Sequence, residues 1–528
     1  MGNVVMGNCI CPLVPLSPLS PSLPNPHSFG RGVPEFPLSP LSPCPLVPLS
    51  LSPCPLVPLS PCPLSMIDST PNPSFSLTLR LQIPNRVGML ASVTQAIASC
   101  GGTLGQIDLV ERTRSQAIRD LSVDASSTAQ AEAIVQAVRA LPEIEVINVY
   151  DRTFNLHRGG KISVSSRIPL KSQDDLAMAY TPGVGRVCLE IARDPEQVYS
   201  LTIKQNTVAI VTDGSAVLEL GNLGAAGALP VMEGKATIFK EFAGINAFPI
   251  CLATQDTEAI IATVKKIAPV FGGIDLEDIA APHCFEIERR LRQELDIPVF
   301  HGNQQGTAIA TLAALTNALK LVNKSITEVR IVINGAGAAG VAIARLLKKA
   351  GAAHILMCDS KGILSTQRQD LPAQKQEFAV SQMGTLAGAL VGTDIFIGVS
   401  APGILTRDMV RSMAKNPIVM AMANPIPEIQ PELVNNDVAV IATGRSDYSN
   451  QIDSILAFPG VFRGALDCRA TTITTMMCLE AAQAIASLVA PTELNREHII
   501  PSIFDARVVP TVAAAVQRAA RQEGIARC

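Results

Sequence analysis

The sequence has no run of 18 apolar residues. Its most apolar stretches are broken by Gly, Pro or charge, so none reads as a membrane span. It has no excess of either charge: the formal net charge is −3, with Lys/Arg and Asp/Glu mixed along the chain. The lack of a basic stripe argues against nucleic acid. The lack of an amphipathic basic segment argues against a membrane surface. No cationic segment precedes an apolar one at the N-terminus, so it is a poor secretory signal. "MGNVVM" also misses the Ser/Thr of a myristoylation site. The 13 cysteines have neither paired spacing nor histidine partners. That excludes a disulfide frame and a zinc site, and points to reduced thiols in a cytoplasmic setting.

Residues 1–65 also lack charge. Arg31 and Glu35 are the only charged side chains there, and "SPCPLVPLS" occurs at 42–50 and again at 52–60. Proline at every second or third position forbids helix and removes ladder donors, so this segment reads as extended or disordered spacer. "MIDSTPNPSFSL" at Met66 resembles a natural start. The chain of 528 residues is too long for one core. The pattern divides it into 1–65, 66–152, 153–315 and 316–528.

In 66–152, strand-like and helix-like stretches follow the order βαββαβ, the ferredoxin-like split motif. With "PNRVGMLASV" after the first strand, the unit resembles an ACT domain. That resemblance implies an amino-acid or metabolite effector at the turn, with a structural or dimerising role as the alternative. From 153 the class is α/β. "TVAIVTDG", "AFPICLAT" and "IPVF" (297–300) read as buried parallel strands. "VRIVI" then leads into Gly335, Gly337 and Gly340 as G-A-G-A-A-G and a helix. This is the strand–turn–helix in which glycines let backbone N–H groups approach a pyrophosphate. Asp359 ends the next strand, 24 residues after Gly335, and suits a ribose 2′-OH, favouring NAD. Ser360 and Lys361 could take a 2′-phosphate instead, so NADP remains open, and a helix N-cap is the bland reading of Asp359.

Three more segments carry polar groups at element ends. "AYTPGVG" sets Tyr180 before a Pro-Gly turn, "LPVMEGK" sets Lys235 at the start of a helix, and "FGGIDLEDI" sets Glu277 beside Asp278. With "VTDGSAVL", "INGAGAAG", "MANPIPEI", "ATGRSDY" and "FPGVFRGALD" in the same order, residues 155–525 resemble a malic enzyme of the bacterial type. The ACT-like unit adds a similarity to cyanobacterial malic enzymes.

The resemblance implies a catalytic α/β domain followed by a Rossmann-type domain. The implied reaction is oxidative decarboxylation of malate to pyruvate and CO2 with NAD(P) reduced, in a dimer or tetramer. Lys235 matches the base that takes the C2 hydroxyl proton, a role for which its pKa would need lowering. Tyr180 matches the acid that protonates C3. Glu277 and Asp278 match two ligands of Mg2+ or Mn2+. Asn424 matches a substrate-carboxylate contact. Thr307, Ala338 and Ala339 join the glycines in the cofactor set.

The pattern fails in one place. Where the family usually reads "FHDDQHGTA", this chain reads "FHGNQQGTA". Gly302 stands at the Asp that helps hold the lysine, and Asn303 at the third metal ligand. Asn303 can offer an amide oxygen but no charge. Asp453 and Ser454 replace two Asn, one of which contacts substrate. Asp275 replaces an Asn, His283 an Arg and Glu219 a Gly. Asp275, Glu219 or Asp453 could restore the missing charge. The alternative function is therefore a catalytically impaired relative that binds dinucleotide and serves as a regulatory or structural subunit.

Overall fold

The computed structural model describes residues 71–218 and 220–528. The proline-rich segment, the Met66 start and the Glu219 departure lie outside the described residues.

In β1 (Asn72–Pro84), Leu77, Leu79, Leu81 and Ile83 are buried and alternate with Thr78, Arg80 and Gln82. That two-residue period lays one apolar face on helices α1 (Met89–Ser99) and α2 (Thr128–Arg139). Gly88 enters α1 at a φ of 92°, the left-handed region that suits glycine. Ser127 caps α2 by accepting from the Gln130 N–H. Together with β2 (Thr103–Arg112), β3 (Gln116–Ala125) and β4 (Glu145–Asp151), β1 forms a four-stranded sheet of order β2-β3-β1-β4, antiparallel throughout. This is the expected βαββαβ unit.

Asp151 ends β4 and caps α3 (Arg152–His157) through the Phe154 N–H. Two further short helices, α4 (Gln173–Ala179) and α5 (Val184–Arg193), follow. No residue from 152 to 203 is buried.

The next sheet is parallel, of order β6-β5-β7-β8, with β5 (Thr207–Thr212), β6 (Asn246–Cys251), β7 (Gly273–Leu276) and β8 (Val299–His301). It carries α6 (Gly224–Ala243), α7 (Thr257–Ile267) and α8 (His283–Glu294). After β8, residues Gly302–Gly306 form one π-helical turn that opens α9 (Thr307–Val322). The sequence boundary at 315 falls inside α9, which is continuous there.

The third sheet has order β11-β10-β9-β12-β13-β14. Its strands are β9 (Arg330–Asn334), β10 (His354–Asp359), β11 (Gly362–Ile363), β12 (Ile395–Gly398), β13 (Ile418–Ala421) and β14 (Val440–Thr443). All pairs are parallel except β10 with β11. α10 (Ala338–Lys349) follows β9. Strand order reverses between β9 and β12, and the crevice at such a switch point is where doubly wound sheets bind ligands. Helices α11 (Phe458–Asp467), α12 (Thr475–Ser487) and α13 (Val508–Gln522) complete the core that joins the two parallel sheets.

Candidate active site

The carboxyl ends of both parallel sheets open onto one cavity of about 730 Å³. Lys235, Glu277, Asp278, Asn303, Thr307, Gly337, Ala338, Ala339, Asn424 and Asp453 all line it. The structure thus brings together ten residues singled out from six separated stretches of sequence.

The glycine turn divides its work. A Cβ on Gly335 would overlap the Val399 carbonyl of the neighbouring strand, and one on Gly340 would overlap the Gly335 carbonyl. Both are needed for close packing. Gly337 has nothing within 4 Å of such a Cβ, so the chain there faces open space in the cavity.

Asp359 lies at the end of β10, but the sequence did not reveal its partners. Arg368 donates to both carboxylate oxygens at 2.7 and 3.0 Å, Lys375 to one at 2.9 Å, and the Lys361 N–H to the other at 3.0 Å. These donors fill the roughly four acceptor positions of a carboxylate. Despite burial, they hold Asp359 down at about 2. Asp359 thus stands at the expected strand end but arrives already paired, within a cationic surround.

Lys235 is corrected as well. It lies well inside α6, not at a helix start, because the helix begins at Gly224 and accommodates Pro230 in its interior. Its Nζ sits 2.9 Å from Asp275 Oδ2, touches Glu277 Oε2 and lies 4.6 Å above the Phe458 ring. Burial alone would lower this ammonium, but Asp275 and Glu277 outweigh it and hold its pKa above the usual range. That is the reverse of the lowering a base requires.

Asn303 donates to Asp278 Oδ1 at 2.9 Å. Burial, then the charge of Glu277, pushes Asp278 up to about 7, and its Oδ2 is buried with no hydrogen-bond partner. Two carboxylates facing one cavity with an unsatisfied oxygen fit a cation, with the Asn303 amide oxygen as a further donor. Asp453 accepts from the Ile455 N–H and from Gln451, and burial raises its pKa. His301 is buried and pushed down to about 3 by burial and by Lys235, so it is neutral. His283 begins α8 and pairs with Thr257 at 3.1 Å.

Tyr180 does not join this group. It ends α4, is 67% exposed and does not line the cavity.

Other lining or bracing residues were missed. Lys161 Nζ lies 2.8 Å from His157 Nε2 and 2.7 Å from the Pro230 carbonyl, and both side chains line the cavity. His157 in turn lies 2.8 Å from the Thr153 carbonyl, and Thr153 donates to the Ser74 carbonyl of β1. Glu428 accepts from the N–H groups of Ser400 and Ala423, bracing two loops of the cavity wall. Its place in "MANPIPEI" was the available signal. His157 and Lys161 gave none, because they precede the first regular strand of the domain.

Comparison with known proteins agrees with this geometry. The family model for the malic enzyme N-terminal domain matches residues 159–292, and that for the malic enzyme NAD-binding domain matches 304–521. An ACT domain model matches 71–148. A NAD-dependent malic enzyme of Geobacillus stearothermophilus is 52% identical over 459 residues, covering 86% of this chain and 96% of that protein. A bifunctional malic/malolactic enzyme of Bacillus subtilis is 51% identical over 390 residues, covering 72% and 95%. The crystal structure of a NAD-dependent malic enzyme from Thermotoga maritima superposes with a TM-score of 0.67 at 46% identity, covering 70% of this chain and 99% of that one. Sheet order, glycine turn and this extent of identity together mean that the chain belongs to the malic enzyme family, with an ACT domain at its N-terminal side.

Proposed function

We propose that this protein converts L-malate to pyruvate and CO2, reducing a nicotinamide dinucleotide, with Mg2+ or Mn2+ held by Glu277, Asp278 and Asn303. The observation that carries this reading is the single cavity shared by Lys235, the carboxylate pair and the glycine turn. A nicotinamide dinucleotide along the glycine turn would supply the hydride acceptor, and a cation held by Glu277, Asp278 and Asn303 would supply Lewis-acid polarisation of the substrate oxygen.

The protein's residues do the rest. Asn424 and Asp453 bound the end of the cavity where the substrate carboxylate is gripped. Lys235 would take the C2 hydroxyl proton; of the two carboxylates that hold its ammonium protonated, Glu277 is the one a cation would draw away, which weakens that hold while Asp275 keeps Nζ in place. The wall formed by Phe458, Ile455 and Met422 keeps water from the developing charge.

Tyr180 supplies the proton to C3 from a second copy of this chain. The support is the stretch from 152 to 203, which buries nothing while exposing Phe154, Leu156, Val164, Met178 and Leu189. An apolar surface of that extent marks an interface, so the protein works as a dimer or tetramer. An amino acid or related metabolite bound at the 85–88 turn of the ACT domain modulates the site through α3, which bonds to Ser74 and Ser76 of β1 at its start and ends in His157 against Lys161. No helix among the described residues is long and apolar enough to cross a membrane. Cys284, Cys358, Cys468 and Cys478 are buried and form no disulfide, in keeping with a cytoplasmic setting.

The test is Mn2+-dependent NADH formation from L-malate by the purified chain. Bound dinucleotide without turnover, across pH 6 to 9 and at high Mn2+, would refute the reading.

A further inference from the structure

We propose that Asp275 and Gly302 act as a matched pair that positions Lys235, the carboxylate supplied from β7 and the room for it left by β8. The inference rests on the reading of the site given above and concerns which residue holds its base.

β7 and β8 are parallel neighbours, with Asp275 beside Phe300 and Leu276 beside His301. Their ends therefore meet at the Lys235 ammonium. Asp275 is fully buried, and its one ion-pair partner among the described residues is Lys235. Unlike Glu277, it does not line the cavity and so is not available to a ligand there. A fully buried carboxylate persists only with a charged partner. Lys235 has the reciprocal need. When Glu277 is committed to a cation, Asp275 is the carboxylate that remains against Nζ.

Gly302 is the other half. A Cβ at this position would overlap both Lys235 Nζ and Glu277 Oε2. The backbone there is not in the left-handed region, so the glycine answers to space and not to conformation. A side chain at 302 would force the Lys235 ammonium, the Glu277 carboxylate or both to shift, disturbing the cluster in which Asp275 holds Nζ. The sequence departures at 275 and 302 are thus one exchange: a carboxylate is absent from the end of β8 and present on the adjacent strand. Asp275 is a positioning residue, because it acts through Lys235 and reaches neither substrate nor cofactor.

The experiment compares the full chain with Asp275→Asn, Gly302→Asp, Gly302→Ala and the Asp275→Asn/Gly302→Asp double variant. Each single variant is expected to lose about tenfold or more in kcat, the scale of a misplaced general base, with KM for the dinucleotide unchanged. The double variant is expected to exceed both Asp275→Asn and Gly302→Asp, because it returns one carboxylate to the lysine. Thermal midpoints of the metal-free proteins supply a readout without turnover, and the double variant is expected to melt above the sum of the two single shifts. Gly302→Ala adds only a methyl group, so it tests the space requirement even where Asp275→Asn does not fold. Wild-type kcat in Gly302→Ala or in Asp275→Asn, or additive loss in the double variant, overturns the proposal. If the parent chain itself lacks malate turnover, the reaction assigned above falls, while the thermal comparison still decides whether 275 and 302 are coupled.

Discussion

Asn303 donates its side-chain amide to Asp278 across 2.9 Å, tying the turn after β8 to the acidic end of β7. The amide relieves part of the repulsion between Asp278 and Glu277 but adds no charge to the cation site proposed there. At an effective dielectric near 20, one unit charge about 4 Å away is worth roughly 4 kcal/mol before desolvation. Half of that is still more than tenfold in affinity, at about 1.4 kcal/mol per decade. Asn303→Asp is therefore expected to bind Mn2+ at least about tenfold more tightly than the parent, and Asn303→Ala more weakly. Calorimetric titration of the metal-free protein measures both. Equal affinities in all three would mean that residue 303 is not a ligand.

Asp359 is closed on both oxygens by Arg368 and gripped by Lys375. It neutralises two cations that lie where the adenosine ribose of a dinucleotide rests in this fold. Asp359→Asn would release Lys375 and one of the two carboxylates on Arg368, which keeps Asp370, so that both cations can meet a 2′-phosphate. The ratio of kcat/KM for NADP+ over NAD+ is expected to rise by about tenfold, the scale of one charge-assisted contact. An unchanged ratio would separate Asp359 from cofactor choice.

Glu288 on α8 is buried and accepts from Arg292 and from Gln305, whose own side-chain oxygen accepts the His301 N–H. Burial, the largest effect, raises its pKa above the usual carboxylate range in spite of Arg292. The folded protein then binds the proton more tightly than the unfolded chain does. Glu288 thus adds stability as pH falls from above its folded pKa toward about 4.5, and removes it as pH rises. Glu288→Gln is expected to flatten the thermal midpoint against pH in the region above about 4.5, the ordinary value of a glutamate. A slope identical to that of the parent would assign the pH dependence to other groups.

Some of these relationships were legible in the sequence. Two-residue alternation in β1, continuous apolar runs in β5 and β9, and a glycine turn after a strand are local signals, and the fold followed from them. The chemistry at Lys235 was only half legible. Its helix was misjudged because Pro230 reads as a breaker, although a proline one and a half turns from the start is tolerated when packing holds the helix. The partners of Lys235 and Asp359 were hidden for a different reason. Asp275 lies 40 residues from Lys235 in the chain, and their pairing exists only once β7 is laid beside α6. Arg368 sits in irregular chain after β11 and Lys375 in a single helical turn, Ala373–Gln376, too short for a period to mark a side chain's direction. Tyr180 carried a motif but no indication of exposure, since burial in an assembly leaves the same apolar signature as burial in one chain.

That exposure leads to the strongest test of assembly. Tyr180 and Lys235 belong to one sequence, yet the first stands on a surface helix end and the second in the cavity. If each site takes its lysine from one copy and its tyrosine from another, the two functions complement between chains. Tyr180→Phe and Lys235→Ala should each be nearly inactive alone. After unfolding and joint refolding in equal amounts, half the dimers are mixed, and one of the two sites in each contains both residues. Activity is then expected to recover to about a quarter of the parent's, as random pairing in a two-fold dimer requires. A site built within one chain predicts none, because every site would lack one of the two groups. Sedimentation of the mixed sample shows whether association took place, so a negative result cannot be ascribed to failure to pair. Recovery near one quarter would also account for the apolar side chains from 152 to 203: they hold the tyrosine-bearing segment against its neighbour.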